Sequence, residues 1–427
     1  MTSKDVTVLF LLRLVRLLAF GGSTLILSFF LSEIGFSDAR IGVFMTATLF
    51  GDMIISIVTA LVADRIGRRW MLAVGSLLMA GSGVAFATCN NFWVLLIASI
   101  LGVISPSGGD VGPFKCIEES TISHLIPSEN LNGILAWYYT LGTFGASAGL
   151  SGTGWLLQLL QSHEMTMIAA YRIIFWLYAA LGLFKASLTA FLSKACELGE
   201  REAAEPVKRP SYSAGETEPL LHDIKDDETL ISRSGTQTRR FLVRFCPILV
   251  LDNFGSGLSM DSWLTYFIRR TFSSVSDGIL GSVFSIAAII ASISNVLAIP
   301  IVSQIGILPT MILGHALASM FLTALPLAQN FGSAVGLLVA RATFLDFDQA
   351  TRQTFIAQSI PPSERTATLG IINVVRTLAQ SAGPIVTGAM AQNSSLGVSF
   401  VLAGTVKLVY DLLLAVMFLG GKPTVSS

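Results

Sequence analysis

The turn Ala63-Asp64-Arg65-Ile66-Gly67-Arg68-Arg69-Trp70 lies between two apolar runs of about twenty residues each. A run of that length crosses a bilayer as a helix, because a helix satisfies its own backbone groups where no water can. A short loop holding Arg65, Arg68 and Arg69 between two such helices belongs on the cytoplasmic side. These two facts rule out a soluble domain and set the frame for the rest of the chain.

Composition agrees. Of 427 residues, 52% are hydrophobic and only 13% charged, with a mean hydropathy of +0.70. That profile is a polytopic membrane protein's. The formal net charge is zero, so nothing draws the chain to nucleic acid. Cys89, Cys116, Cys196 and Cys246 have neither metal-ligand spacing nor the pattern of a disulfide framework. The run from Val6 to Leu31 is too long for a cleaved leader and lacks its small-residue site, so it reads as a first span.

Twelve spans are expected, at roughly 6–32, 41–62, 71–89, 92–119, 133–158 and 167–193, then 241–268, 278–302, 309–328, 332–360, 366–391 and 396–419. Lys4, Arg65, Arg68, Arg69, Arg239, Arg240, Arg365 and Lys422 fall on the side this pattern makes cytoplasmic, with both termini. Only Arg40, Arg172, Arg269 and Arg270 fall near the outer face, which is the positive-inside asymmetry. Trp70, Trp93, Trp137, Trp155 and Trp263 fall near span ends, where interfacial aromatics are expected. The domain expectation is a six-helix bundle over 1–193, a disordered cytoplasmic linker over 194–240, and a second bundle over 241–427. The linker is rich in Glu, Asp, Ser, Thr and Pro and too polar to bury a core. Within it, Glu216 to Leu221 has the form of an acidic dileucine sorting signal, with a chance match as the alternative.

The halves repeat each other. Gly67 aligns with Gly306, Ile126-Pro127-Ser128-Glu129 with Pro361-Pro362-Ser363-Glu364, and Ser147-Ala148-Gly149 with Ser381-Ala382-Gly383. Ser37-Asp38 ahead of Gly42 recurs as Ser276-Asp277 ahead of Gly281. Parallel copies of six spans are a transporter pattern.

Asp64 to Arg68 also resembles the signature loop of the major facilitator superfamily, Gly-x-x-x-Asp-Arg-x-Gly-Arg-Arg/Lys, with Ala60 in place of its first glycine. Asp348 to Gln353, Pro361 to Arg365, Asn373, Arg376 and Pro384 resemble a drug-efflux-like branch without a settled substrate, as do Gly112-Pro113-Phe114 and Ile117-Glu118. Two departures weaken the likeness to drug–proton antiporters. The glycine run Gly142, Gly145, Gly149, Gly152, Gly154 lacks their proline, and Ser99 to Gly102 lack their mid-membrane arginine. The resemblance implies an all-α fold of two pseudo-symmetric bundles that rock between outward-open and inward-open states. It implies a gating loop of Asp64, Arg65, Gly67, Arg68 and Arg69, with Arg376 as a further gating residue. In that loop Asp64 sits at the cytoplasmic N-terminus of span eleven, and Arg65 and Arg68 pair with acidic groups and lipid phosphates.

Charges inside the spans carry the functional argument. An Arg or Asp at the centre of a span costs about 2.5–3.5 kcal/mol on insertion scales, so such groups must face protein or water. They are Arg13 and Arg16 in span one, Asp52 in span two, Asp110 in span four, Arg244, Asp252 and Asp261 in span seven, and Arg341, Asp346, Asp348 and Arg352 in span ten. Arg376 follows in span eleven, with Lys407 and Asp411 in span twelve. Spans one, four, seven and ten line the central cavity in the family this chain resembles. The expected cavity residues are Arg16, Asp110, Asp252, Asp261, Arg341, Asp346 and Asp348. Asp52 and Asp252 are the candidates for proton coupling, with Arg16 and Arg341 as substrate or counter-ion contacts; static ion pairs are the alternative for each. Lys407 and Asp411, four apart on one helix face, read as a local pair. His315 reads as a packed core residue, and Glu118 or Glu119 as an answer to a loop arginine. Ser105 to Asp110 with Pro113 break span four beside the expected pathway.

The expected function is secondary active transport of a small organic solute, with proton-coupled export preferred. Uniport or symport of a metabolite or ion is an alternative, as is a transport-dead sensor working through the linker. The expected partners are the solute, protons and the bilayer, for a monomer in a plasma or vacuole-type membrane. No nucleophile–base pair, phosphate-cradling loop or metal cluster suggests an enzyme or a cofactor.

Overall fold

A computed structural model of the chain describes residues 4–102, 104, 106, 113–197, 235–347, 349–361 and 364–419. Asp110, Asp348 and most of the 194–240 linker lie outside the described residues, as do the side chains of Asp64 and Arg65. The described residues are helical and form no strand. Helices α1 (Lys4–Glu33), α2 (Asp38–Ile66) and α3 (Arg68–Thr88) correspond to spans one to three. Span four divides into α4 (Phe92–Gly102) and α5 (Pro113–Leu125), followed by α6 (Ser128–Ser162) and α7 (Met167–Thr189). Span seven divides into α8 (Thr236–Leu258) and α9 (Asp261–Thr271); α10 (Asp277–Ile305) and α11 (Ile307–Ala324) follow. Span ten is α12 (Phe331–Leu345) with α13 (Gln349–Ser359), span eleven is α14 (Arg365–Ser381) with α15 (Gly383–Gln392), and span twelve begins as α16 (Leu396–Leu414).

The described residues form two compact units, one from Met1–Pro210 with Met260–Ile286 and one from Ser211–Ser259 with Ala287–Ser427. The second half of span seven is thus built into the first unit. Ser262 explains how: its hydroxyl donates to the carbonyls of Thr24 and Pro106 at 3.1 and 3.2 Å, and Ser28 donates to the carbonyl of Ser262 at 2.8 Å. The break in span seven leaves the last carbonyls of α8 without partners in their own helix, away from water. In the second unit Thr387 closes the other side of that break, donating to the carbonyl of Leu258 at 2.8 Å.

The repeat seen in the sequence is a repeat in conformation. Gly67 and Gly306 sit at φ 103° and 92°, at the N-termini of α3 and α11, where a side chain would be strained. Gly149 of α6 packs on the backbone of α1, and a Cβ there would run into the carbonyl of Leu18. Its counterpart Gly383 packs in the same way on Gly257 of α8. In both units the backbones touch because a side chain is missing, which is the small-residue packing of membrane helices. Gly142, Gly145 and Gly149 of the glycine run therefore fit α6 to α1.

Each unit also has a core of its own at corresponding helices. One gathers Leu9, Leu12, Phe114, Ile117 and Tyr138. The other gathers Phe245, Leu249, Ile356 and Ile372. Trp70, Trp93, Trp137 and Trp155 are more than half exposed, as interfacial rings should be, but Trp263 is fully buried. Trp263 belongs to α9, the segment packed into the first unit, so it is a core ring and not an interfacial anchor.

Candidate functional site

Two buried ionic networks stand out, one in each unit. In the first, Arg16 on α1 places Nη2 2.8 Å from Oε2 of Glu118 on α5. The Tyr138 hydroxyl on α6 donates to the same oxygen at 2.6 Å, and Lys185 Nζ on α7 lies 3.8 Å from Oε1. Glu118 and Lys185 have no exposed side-chain surface. Arg13, one turn before Arg16, stacks its guanidinium over the Tyr138 ring at 4.0 Å, and the Lys185 ammonium lies 4.3 Å from the Phe114 ring centre. Cation–π contact and a shared carboxylate together hold cations that apolar surroundings would expel.

In the second unit the centre is Asp252 on α8, 2% exposed. Arg352 on α13 donates from Nη1 to Oδ2 at 2.7 Å. Lys407 on α16 donates to Oδ1 at 2.8 Å and also to the Ser256 hydroxyl at 2.8 Å. His315 on α11 places Nε2 3.0 Å from the same Oδ1. Its Nδ1 lies 2.8 and 2.9 Å from the two carboxylate oxygens of Asp411 on α16. The Tyr410 ring packs edge-on against the imidazole at 5.2 Å.

The two networks correspond. Arg16 and Asp252 occupy equivalent places in the repeat, as do Glu118 and Arg352, to within a turn of helix. The salt bridge between the first and fourth spans of each half is therefore present twice with its charges exchanged. In each half a lysine from the last span joins it: Lys185 in one, Lys407 in the other.

Several expectations are corrected. His315 is buried, but as the bridge between two carboxylates and not as an apolar packing residue. Lys407 and Asp411 are not a local pair: each reaches another helix, Lys407 to Asp252 and Asp411 to His315, because that helix face points at the network. Glu118 serves Arg16, Tyr138 and Lys185, a role that was not expected of it. Lys185 was not among the expected charges, although the cost of a lysine inside the apolar run 167–193 is the signal that flags the others.

Of the remaining expected residues, Asp52 is 1% exposed on α2. Asp261 opens α9, where the helix dipole favours a carboxylate. Arg341 is half-buried near the end of α12, and Asp346 is that helix's C-cap. Among the expected cavity residues, Arg16 and Asp252 contribute the bonds that define the two networks, while Asp261, Arg341 and Asp346 stand at other positions along their helices.

At the turn between α2 and α3, the Glu197 carboxylate accepts from the backbone amides of Arg68 and Arg69 at 2.7 and 3.1 Å. Those are unsatisfied donors at the N-terminus of α3, which an anion completes. The Arg68 side chain is buried and donates to the Ser120 carbonyl at 3.4 Å, which ties α3 to α5. In the second unit Arg376 donates from Nε to Oδ1 of Asn253 at 3.3 Å, one residue from Asp252.

A family model described as Major Facilitator Superfamily matches residues 9–345 and 245–427. The uncharacterized membrane protein YJR124C of Saccharomyces cerevisiae is 32% identical over 431 residues, covering 98% of this chain and 95% of that one. The quinolone resistance protein NorA of Staphylococcus aureus is 27% identical over 122 residues, 29% of this chain and 31% of NorA. Among solved structures, the inward-open xylose transporter XylE from E. coli has a TM-score of 0.69 at 18% identity, covering 96% of this chain and 95% of XylE. The nucleoside transporter NupG has a TM-score of 0.67 at 16% identity, covering 98% and 100%. At such identities the likeness carries the fold: an all-α membrane protein of twelve spans in two pseudo-symmetric six-helix bundles.

Proposed function

The chain belongs to the Major Facilitator Superfamily, and on that premise we propose that it is a proton-coupled exporter of a small organic solute. The single observation that carries this reading is Asp252, a carboxylate buried to 2% exposure and held by Arg352, Lys407 and His315 from three other helices. A site that only had to hold helices together would be served as well or better by apolar side chains, since ion pairs lose several kcal/mol per ion on leaving water. A carboxylate whose cationic partners sit on separate helices changes its proton affinity whenever those helices move.

In this reading the halves 1–193 and 241–427, joined by a cytoplasmic linker over 194–240, alternate access to the two sides. Asp252 takes part in binding and releasing the coupling proton, and Arg16 with Glu118 forms the corresponding element of the other half. Asp64, Arg65, Gly67, Arg68 and Arg69 act as the cytoplasmic gate. The protein works as a monomer in a plasma or vacuole-type membrane, with both termini in the cytoplasm. The test is flux of a solute panel into or out of proteoliposomes under a pH gradient, comparing wild type with Asp252→Asn. Gradient-driven flux in the wild type alone supports the reading, and equal flux in both removes Asp252 from coupling.

A further inference from the structure

The geometry points to the triad Asp252–His315–Asp411 as the seat of the coupling proton, with the His315 imidazole as the group that carries it. The inference deepens the transporter reading and rests on it for the proton's use, but not for the proton's presence.

His315 faces a carboxylate at each ring nitrogen: Asp411 at 2.8 and 2.9 Å from Nδ1, and Asp252 at 3.0 Å from Nε2. An ionised carboxylate only accepts, and a neutral imidazole has one N–H. Two ionised carboxylates and a neutral ring would therefore set a nitrogen lone pair against an oxygen lone pair at one of the contacts. The contacts are satisfied when the trio holds one more proton, placed on the ring or shared with a carboxylate. All three side chains are buried and the contacts are direct, at 2.8 to 3.0 Å, so no water stands between the facing atoms.

The same surroundings accommodate the trio when that proton leaves. Lys407 Nζ lies 2.8 Å from Asp252 Oδ1, the oxygen that Nε2 contacts, and 3.5 Å from Nε2 itself. With Nε2 deprotonated, the ammonium can point a hydrogen at both the nitrogen and the carboxylate. Lys407 thus competes with the proton for one oxygen and takes over its contacts when the proton is gone. Arg352 holds the other oxygen, Oδ2, at 2.7 Å and keeps Asp252 in place in both states. The charged and titratable groups that face the ring are these two cations, the two carboxylates and Tyr410, whose ring packs against it. In the step itself, a proton from water on one side adds to the ring nitrogen and is returned to water on the other; no other bond changes.

The test is a nitrogen NMR titration of the full-length protein in lipid nanodiscs, with His124→Gln, His163→Gln and His222→Gln leaving His315 as the observed histidine. The expected result is a ring protonated on both nitrogens at neutral pH. Asp411→Asn should lower its midpoint by about one pH unit or more, a tenfold loss of proton affinity. A neutral ring in one tautomer from about pH 5 to pH 9, or a midpoint indifferent to Asp411→Asn, overturns the proposal. A second arm separates this proposal from the function it serves. Gradient-driven flux that is unchanged in His315→Gln overturns the triad's role and leaves the transporter intact. A protonated ring in a protein that moves no solute under any pH gradient supports the site and overturns the transporter reading.

Discussion

Arg352 and Asp252 meet at 2.7 Å across 100 residues of sequence, in the place where the other half sets Glu118 against Arg16. The exchange of charge between equivalent helices makes the two halves alike in packing and unlike in electrostatics. The first network has one carboxylate shared by Arg16 and Lys185; the second has two carboxylates about one histidine. Only the second has the means to hold or release a proton through an imidazole, which is why coupling is assigned there.

Glu118→Gln leaves Arg16 and Lys185 facing a neutral amide in a buried site. Removing one member of a buried pair typically costs about 3–5 kcal/mol. The variant should therefore show a marked fall in thermal unfolding temperature in detergent. The comparison is Glu119→Gln, which keeps an oxygen to accept from the exposed Tyr139 hydroxyl at 2.8 Å and whose ionic contact with Lys115, 31% exposed, is long at 3.9 Å. Surface-type pairs contribute about 0–1 kcal/mol, so that variant should unfold within a degree or two of wild type. Equal shifts in both would show that the Glu118 network is solvated.

Gly149→Val and Gly383→Val should each lower folded yield, because the added side chain meets the backbone of the facing helix. Overpacking of this kind costs about 1–3 kcal/mol, more where backbone cannot move. Gly152→Val, on the same helix with open space around it, is the control and should express as wild type. Size-exclusion yield from membranes reads all three.

Much of this was legible in the chain. Run lengths set the spans, the positions of Gly67 and Gly306 gave the repeat, and the insertion cost of Arg16, Asp252 and Arg352 marked the helices that carry charge. What a sequence cannot give is partnership. Lys407 and Asp411 share a helix face and so read as a pair, yet each bonds to a different helix. His315 has no charged neighbour in sequence, so its two carboxylates, 63 and 96 residues away, were invisible until the helices were packed. Glu197 likewise follows span six by sequence but completes the amides that open α3.

Glu197→Gln should loosen the N-terminus of α3 without unfolding the bundle. Losing a capping carboxylate costs about 0.5–2 kcal/mol. Hydrogen exchange of the Arg68 and Arg69 amides should accelerate about tenfold for each 1.4 kcal/mol lost, with the amides of α7 unchanged. Unchanged protection at Arg68 would mean that the cap contributes nothing.

Cys196 should be a slow thiol. Burial pushes it up to about 12, helped by the Asp5 carboxylate beside it. The thiolate is the reactive form, so at neutral pH the neutral thiol dominates and alkylation is slow. Its labelling rate should rise about tenfold per pH unit through the alkaline range, as long as the pH stays below the thiol's own pKa. Asp5→Asn should move the thiol down and speed labelling at a fixed pH. A rate that levels off near the ordinary thiol range of about 8.5 would contradict the burial seen here.

The measurement that bears most directly on the account is initial solute flux in proteoliposomes holding wild type or Asp252→Asn, with and without an imposed pH gradient. The account predicts that the gradient accelerates flux in the wild type, while the variant, folded and inserted, moves solute at one rate whether the gradient is present or not. Flux in Asp252→Asn that responds to the gradient as the wild type's does would contradict it.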